Sequence, residues 1–242
     1  MGRIGSIATT VTTIDGAPPA LVTLSPRGPV RGVALLAHGG RSTSTRRASR
    51  VNAAALRMYP FLLDLHRVGR DSGLAAVQLR YRVRGYNEGD PVADVEWALS
   101  EIARRHGDVP VCMVGHSMGA RSALRCAGHE SVRAVVALAP WLPAGEPTAQ
   151  LAGRTVVMAH GTRDRTTSPA RSLAYALTAR EICERLCRFE VAGAHHAMLE
   201  RGRAWQGLVR RAVPAALELR PWDERLLEGF ALPSPAGCRV PL

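Results

Sequence analysis

The sequence predicts an α/β fold: a mostly parallel, twisted sheet with helices on both faces and an antiparallel hairpin at its N-terminal end. Three observations predict it. Short apolar runs alternate with amphipathic stretches along the 242 residues, as in parallel sheets whose strands are joined by crossover helices. No internal repeat interrupts that alternation. A Gly-x-Ser-x-Gly segment follows one apolar run and precedes a helical one, an arrangement that itself needs strand before and helix after. A mass of 26.0 kDa fits one domain. We expect it to span residues 1–242, with a core over about 20–219 and a Pro/Gly-rich tail at 220–242 wrapping the surface.

The elements follow in order. Ile7–Thr13 and Leu21–Leu24 read as a hairpin around Asp15-Gly16. Gly32–Ala37 (GVALLA) is a buried strand that ends in His38-Gly39-Gly40. A loop rich in Ser, Thr and Arg leads to a helix through Leu56. Leu74–Tyr81 is the next strand. Pro91–Arg105 is a helix, with Val92, Val95, Leu99 and Ile102 on one face and Asp90 as its cap. Val111–Val114 is a strand and Ala120–Ala127 a helix. Val132–Ala139 and Thr155–Ala159 are strands. Ser168-Pro169 opens a helix in cap-then-proline order. Arg188–Val191 is the last strand and Ala197–Leu219 the last long helix.

Composition excludes several classes. Hydrophobic residues at 46% and charged residues at 21% are ordinary for a globular chain and argue against disorder. No apolar run approaches the ~20 residues that span a bilayer, and Met1–Thr10 has no apolar signal core. These features predict a cytoplasmic protein without membrane contact. The net charge is +12, and every basic side chain is arginine, since the chain has no lysine. That pattern reads as GC-rich coding bias of actinobacterial type. No helix-turn-helix or zinc motif accompanies the charge, so nucleic acid is not an expected partner. The arginines are unevenly spread: Gly16–Leu63 holds seven and no acidic residue. The cysteines (Cys112, Cys126, Cys183, Cys187, Cys238) are odd in number and scattered, which fits reduced thiols rather than a disulfide framework. A helix would put Cys183 and Cys187 on one face, but no histidine partners them for zinc, and the H-x-x-x-H and H-E-x-x-H patterns are absent around His195 and His196. Neither a metal nor a cofactor is expected.

The chemistry-bearing segment is Gly115-His116-Ser117-Met118-Gly119. Its glycines are needed because the chain reverses so sharply that side chains two before and two after the serine would collide. The serine hydroxyl then stands above the sheet, and the Met118 amide at the helix N-terminus can face a developing oxyanion. A nucleophilic serine needs a base and an acid to orient that base. Asp164 follows the strand Thr155–Ala159 in HGTRD, and His195-His196 follow the last strand in GAHH. Glu146, after the preceding strand, is the alternative acid. His38, His116 and His160 are expected to brace loops and strand ends, and Cys112 to sit in the core.

The segments AHGG at 37–40, GHSMGA at 115–120, HGTRD at 160–164 and GAHHAML at 193–199 together resemble the α/β-hydrolase superfamily, in particular its small esterase and dienelactone-hydrolase-like members. The resemblance spans roughly residues 20–215. It implies the α/β-hydrolase fold, a nucleophile at Ser117, a triad acid at Asp164 and a base at His196. His196 is favoured over His195 because the family commonly carries G-x-x-H there. It also implies an oxyanion loop at His38-Gly39-Gly40, with the Gly40 amide as the donor beside that of Met118. The short interval from Trp141 to the next strand leaves no room for the cap domain many members insert.

Trp141 should lie at the carboxyl edge of the sheet, where ligands bind in such folds, as an acyl-pocket wall or as rim packing. Arg82 and Arg84 follow another strand at the same edge. With Arg41, Arg46 and Arg47 they would make a basic mouth suited to an anionic acyl substrate, including a coenzyme A or carrier-protein thioester, unless they are solvated or pair with Glu88, Asp90 and Asp94. The expected activity is hydrolysis of a carboxylic ester or thioester through an acyl-enzyme. The alternatives are acyl transfer or C–C cleavage on the same residues, or a non-catalytic binding protein of this fold.

Overall fold

The structure is a computed structural model that describes residues 9–11 as backbone, 18–49 and 52–242. Strands β1 (Thr9–Val11) and β2 (Ala20–Leu24) pair antiparallel, as the hairpin reading requires; its Asp15-Gly16 turn lies outside the described residues. There follow β3 (Gly32–Ala37), α1 (Ala53–Leu56), α2 (Tyr59–Gly69), β4 (Leu74–Arg80), α3 (Asp90–His106), β5 (Val111–His116) and α4 (Met118–Arg125). The second half adds β6 (Val132–Leu138), β7 (Thr155–Gly161), α5 (Pro169–Arg180), β8 (Arg185–Val191), α6 (Gly202–Ala216), α7 (Glu224–Ala231) and β9 (Val240–Pro241). The strand order is β1-β2-β4-β3-β5-β6-β7-β8-β9, parallel throughout except where β2 meets β1 and β4. This is the α/β-hydrolase fold that the sequence predicts.

Alternation along each central strand divides the core in two. Val33, Leu35 and Ala37 of β3 face a layer built on α3, α4 and α5, through Leu99, Ala123 and Ala176 among others. Ala34 and Leu36 face the opposite layer of α2, α6 and α7, through Leu62, Leu208 and Leu226. Both faces of the central strands are dry, which is why their sequences are continuous apolar runs. The order reverses at β3, whose neighbours are β4 on one side and β5 on the other. Ligands collect outside the carboxyl ends of the strands at such a point.

Several elements differ from expectation. The helix read through Leu56 is a single turn, and the helix proper is α2, opened by Pro60 in its first turn. Gly89, at φ 114°, caps α3, and Asp90 is its first residue. Only glycine takes that backbone angle without strain. The last long helix begins at Gly202 rather than Ala197, because Met198 (φ 58°) and Arg201 (φ 54°) break the chain into left-handed turns. Cys183 follows α5 and Cys187 lies on β8, so no helix aligns them; all five cysteines are free.

The tail is the largest departure. Instead of wrapping the surface, residues from 220 onward form α7 and then β9, which extends the sheet beyond β8. Arginines hold it there. The buried Arg188 of β8 donates Nη1 to the Cys238 carbonyl (2.9 Å), Arg180 donates Nη2 to the Phe230 carbonyl (2.9 Å), and Arg225 donates Nη2 to the Pro241 carbonyl (2.6 Å).

Candidate active site

Three carboxyl-edge loops and the β5–α4 turn meet at one point. Ser117 adopts φ 56° and ψ −115°, a combination that costs a non-glycine residue of order 1–3 kcal/mol. The glycines around it allow the turn. A Cβ on Gly115 would strike Ala120 at the start of α4, and a Cβ on Gly119 would strike the Ala37 and His38 carbonyls at the end of β3. The crowding at Gly115 is across the turn itself, where its Cβ would also strike the Gly119 carbonyl, and the crowding at Gly119 is against the end of β3.

The Ser117 Oγ lies 3.0 Å from His196 Nε2, and His196 Nδ1 lies 2.8 Å from Asp164 Oδ2. An ionised carboxylate only accepts, so Nδ1 carries a proton toward Asp164. In the neutral ring Nε2 is then the acceptor for the Ser117 hydroxyl. The structure thus brings together the three residues singled out in sequence. His195 stays outside: its ring is exposed, and its backbone amide donates to Glu200. Glu146 stays outside as well, bound by Arg121 and Arg125.

Asp164 is held by more than the histidine. Its Oδ1 accepts the Thr166 and Thr167 amides (2.8 and 3.0 Å), and its Oδ2 accepts His196 Nδ1 (2.8 Å), the Thr167 hydroxyl (2.9 Å) and His160 Nε2 (3.2 Å). Burial by itself would raise this carboxyl; hydrogen bonds from His160, His196 and the Thr167 amide outweigh it and hold the group well below the usual carboxylate range. Thr167 was not visible in the sequence reading. Its hydroxyl also lies 3.2 Å from His196 Nδ1 and 3.3 Å from His160 Nε2. The only sequence signal for it is a hydroxyl residue three positions after a loop aspartate, where an aspartate side chain commonly accepts local amides.

The other histidines brace the frame. Burial lowers His38 to about 4, and its Nδ1 donates to the Gly39 carbonyl (2.7 Å). Burial, reinforced by the neighbouring His196, lowers His116 to about 3, and its Nε2 donates to the His196 carbonyl (2.9 Å). Both rings are neutral at pH 7, and the second ties the loop of His196 to the end of β5.

The loop after β3 is backed by the segment after β4. The Arg84 carbonyl accepts the Arg41 amide (2.8 Å), and the Arg41 carbonyl accepts the Tyr86 amide (2.8 Å). A Cβ on Gly40 would strike the Arg84 carbonyl and the Met118 sulfur, so glycine alone fits. The Arg41 amide is taken, and Gly40 shares with Ser117 and Met118 a cavity of about 430 Å³ also lined by Arg41, Trp141 and Thr167. Trp141 donates its amide to the Ser117 carbonyl (3.2 Å).

Arg82 and Arg84 do not line that cavity. The Arg82 guanidinium and amide are both bound to Asp94, a fully buried carboxylate on α3, and Arg84 donates Nε to the Arg47 carbonyl (3.1 Å). Their segment supports the site through its backbone and not through its charge. Arg41 is exposed and has no carboxylate partner among the described residues.

No curated protein matches the chain. Solved structures share its fold at low identity. A serine hydrolase homologue from Coxiella burnetii is 15% identical with a TM-score of 0.65, over 87% of this chain and 99% of its own. A serine hydrolase without lid from Xanthomonas campestris is 18% identical with a TM-score of 0.61, over 88% and 99%. A thermostable carboxylesterase cloned from a metagenomic library is 16% identical with a TM-score of 0.66, over 90% and 91%. Residues 11–235 match the alpha/beta hydrolase family, a span that holds β2 to β8 and the whole Ser117–His196–Asp164 chain, and the protein belongs to that family.

Proposed function

We propose that the chain is a serine hydrolase that cleaves a carboxylic ester or thioester through an acyl-enzyme. One observation carries the reading: a strained serine hydroxyl 3.0 Å from an imidazole whose other nitrogen is 2.8 Å from a fully hydrogen-bonded aspartate, at the edge of an open cavity. The Ser117 Oγ attacks the carbonyl carbon while its proton passes to His196 Nε2. The carbonyl electron pair moves onto oxygen, where the Gly40 and Met118 amides stabilise it. Collapse breaks the bond to the leaving group, and the alcohol or thiol departs with the proton from His196. Water then gives a proton to His196 and attacks the acyl-enzyme. The second collapse releases the acid and returns the proton to Ser117. Asp164 stays ionised and holds the ring in the reactive tautomer. Each step uses only this chain and water.

The substrate is read as a small acyl ester or thioester. Arg41 beside the cavity, with no carboxylate partner among the described residues, favours one that carries negative charge, such as a coenzyme A or carrier-protein thioester, with Trp141 as a wall of the acyl site. Among the described residues no helix is long and apolar enough to cross a membrane. Five free cysteines fit a reducing compartment such as the cytoplasm. The test is intact-mass analysis after fluorophosphonate treatment. One adduct is expected on the folded protein and none on Ser117→Ala. An adduct retained by that variant, or none on the native chain, removes the reading.

A further inference from the structure

Arg121 lies one helical turn after Ser117 on α4, and its side chain is only 12% exposed. The guanidinium sits between two aromatic rings, with its carbon 3.8 Å from the Tyr86 centroid and 4.7 Å from the Trp141 centroid. Those rings meet edge to face at 5.6 Å and 86°. Its Nη2 pairs with Glu146, whose side chain is 4% exposed and which also accepts Arg125 Nε at 2.9 Å. A desolvated guanidinium over an aromatic face is worth about thirtyfold in an equilibrium. The planar stacking is something lysine cannot reproduce.

The members of this cluster line two different cavities. Trp141 lines the one that holds Ser117, about 430 Å³. Tyr86, Arg121 and Arg125 line a neighbouring one of about 450 Å³. Trp141 is fixed at both ends by the nucleophile's own segment: its amide by the Ser117 carbonyl (3.2 Å) and its ring by Arg121. The wall is therefore rigid relative to the serine.

We propose that Arg121, through Tyr86 and Glu146, positions Trp141 as a partition that limits the length of the acyl group the site accepts. The proposal rests on the ester-cleaving reading above. Arg121 touches neither the substrate nor the reacting atoms; it is a positioning residue acting through Trp141.

The experiment measures Ser117 labelling rates with alkyl fluorophosphonates of increasing chain length, and kcat/KM on the matching linear acyl esters. The native protein should favour short chains. Trp141→Ala enlarges the Ser117 cavity toward Tyr86 and Arg121 and should shift the optimum to longer chains, each added CH2 beyond the native limit gaining up to about fourfold. Arg121→Met should shift it the same way through KM, with kcat on the shortest ester kept. Arg121→Lys, which keeps the ion pair but not the stack, should fall between. In the Trp141→Ala background, Arg121→Met should move the profile no further. A uniform loss across all lengths in Arg121→Met, together with a lowered Tm, would show a purely structural role and overturn the proposal. So would an unchanged profile in Trp141→Ala. Failure of the native chain to label at any length would instead defeat the hydrolase reading, and the partition with it.

Discussion

Thr167→Val removes one hydroxyl and keeps the side-chain shape. The hydroxyl supplies one of the five hydrogen bonds to Asp164, at 2.9 Å, and is buried. A hydrogen bond to a charged acceptor is worth about 1.5–3 kcal/mol. For a chain of this size each kcal/mol moves Tm by roughly 2–4 °C, so the variant should melt about 3–12 °C lower. Catalysis should suffer less than from loss of the carboxylate, because the other four donors remain and His196 is still among them. We expect kcat to fall about tenfold, equivalent to ~1.4 kcal/mol. Asp164→Asn, which stabilises the wrong tautomer, should cost about 10⁴. Thr167→Ser should restore most of both losses. The assay is kcat and KM on a short acyl ester beside thermal melting. A lowered Tm with kcat unchanged would make the hydroxyl a structural prop only. A fall as deep as that of Asp164→Asn would mean that the hydroxyl, 3.2 Å from His196 Nδ1, and not the carboxylate, orients the ring.

His196→Ala should reduce kcat by about 10⁶, as loss of a triad base does elsewhere, whereas His195→Ala should cost little; steady-state kinetics on the two variants decides which histidine is the base. Arg82→Gln strands the buried Asp94 carboxylate and should destabilise by about 3–5 kcal/mol in denaturant melts, with kcat/KM for anionic and neutral substrates changed alike. Arg41→Gln should raise KM for an anionic ester and abolish the salt dependence of its kcat/KM, which in the native chain should fall once the screening length drops to ~8 Å; equal salt dependence for charged and neutral esters would argue against an electrostatic role. Hydrogen bonds from Arg104 and then Arg105 pull Glu101 down to about 2. A depressed carboxyl stabilises the fold above its unfolded pKa and loses that contribution as pH falls toward its folded value. Melts of Glu101→Gln should accordingly lie below native at pH 7 and converge with it as pH drops from about 4.3 toward 2.

The layout was legible wherever chemistry is local. GVALLA and the run around Val135 announce buried strands by composition, and Ser168 caps α5 through Arg171 as its side chain predicts. Ser117, Asp164 and the pair His195-His196 could be singled out because each follows a strand end, and the resemblance to the family chose His196 from that pair. Features set by distant partners were not legible. The sequence left Arg82 a choice of Glu88, Asp90 and Asp94, and only the folded chain selects Asp94 and buries it. Thr167 and Arg121 act through residues far away in sequence, on His196 and on Tyr86 and Trp141. The early start expected for the last helix failed because apolar spacing says nothing about Met198 and Arg201, whose left-handed backbone delays the helix to Gly202.

The last strand has a consequence for how the molecule meets other copies of itself. Without β9, β8 would present a row of unpaired amides and carbonyls, and a bare edge of that kind recruits strands from neighbouring chains. Residues Val240 and Pro241 occupy that edge beside Phe189 and Glu190, and the Leu242 amide donates to the Glu190 carbonyl at 3.0 Å. Pro241 contributes no amide of its own, so the new outer border offers little to pair with. The arginines that bind the tail's carbonyls hold this cover in place. They do so on the strand that leads directly into the histidine loop, so fraying at this border would loosen the base as well as expose the sheet.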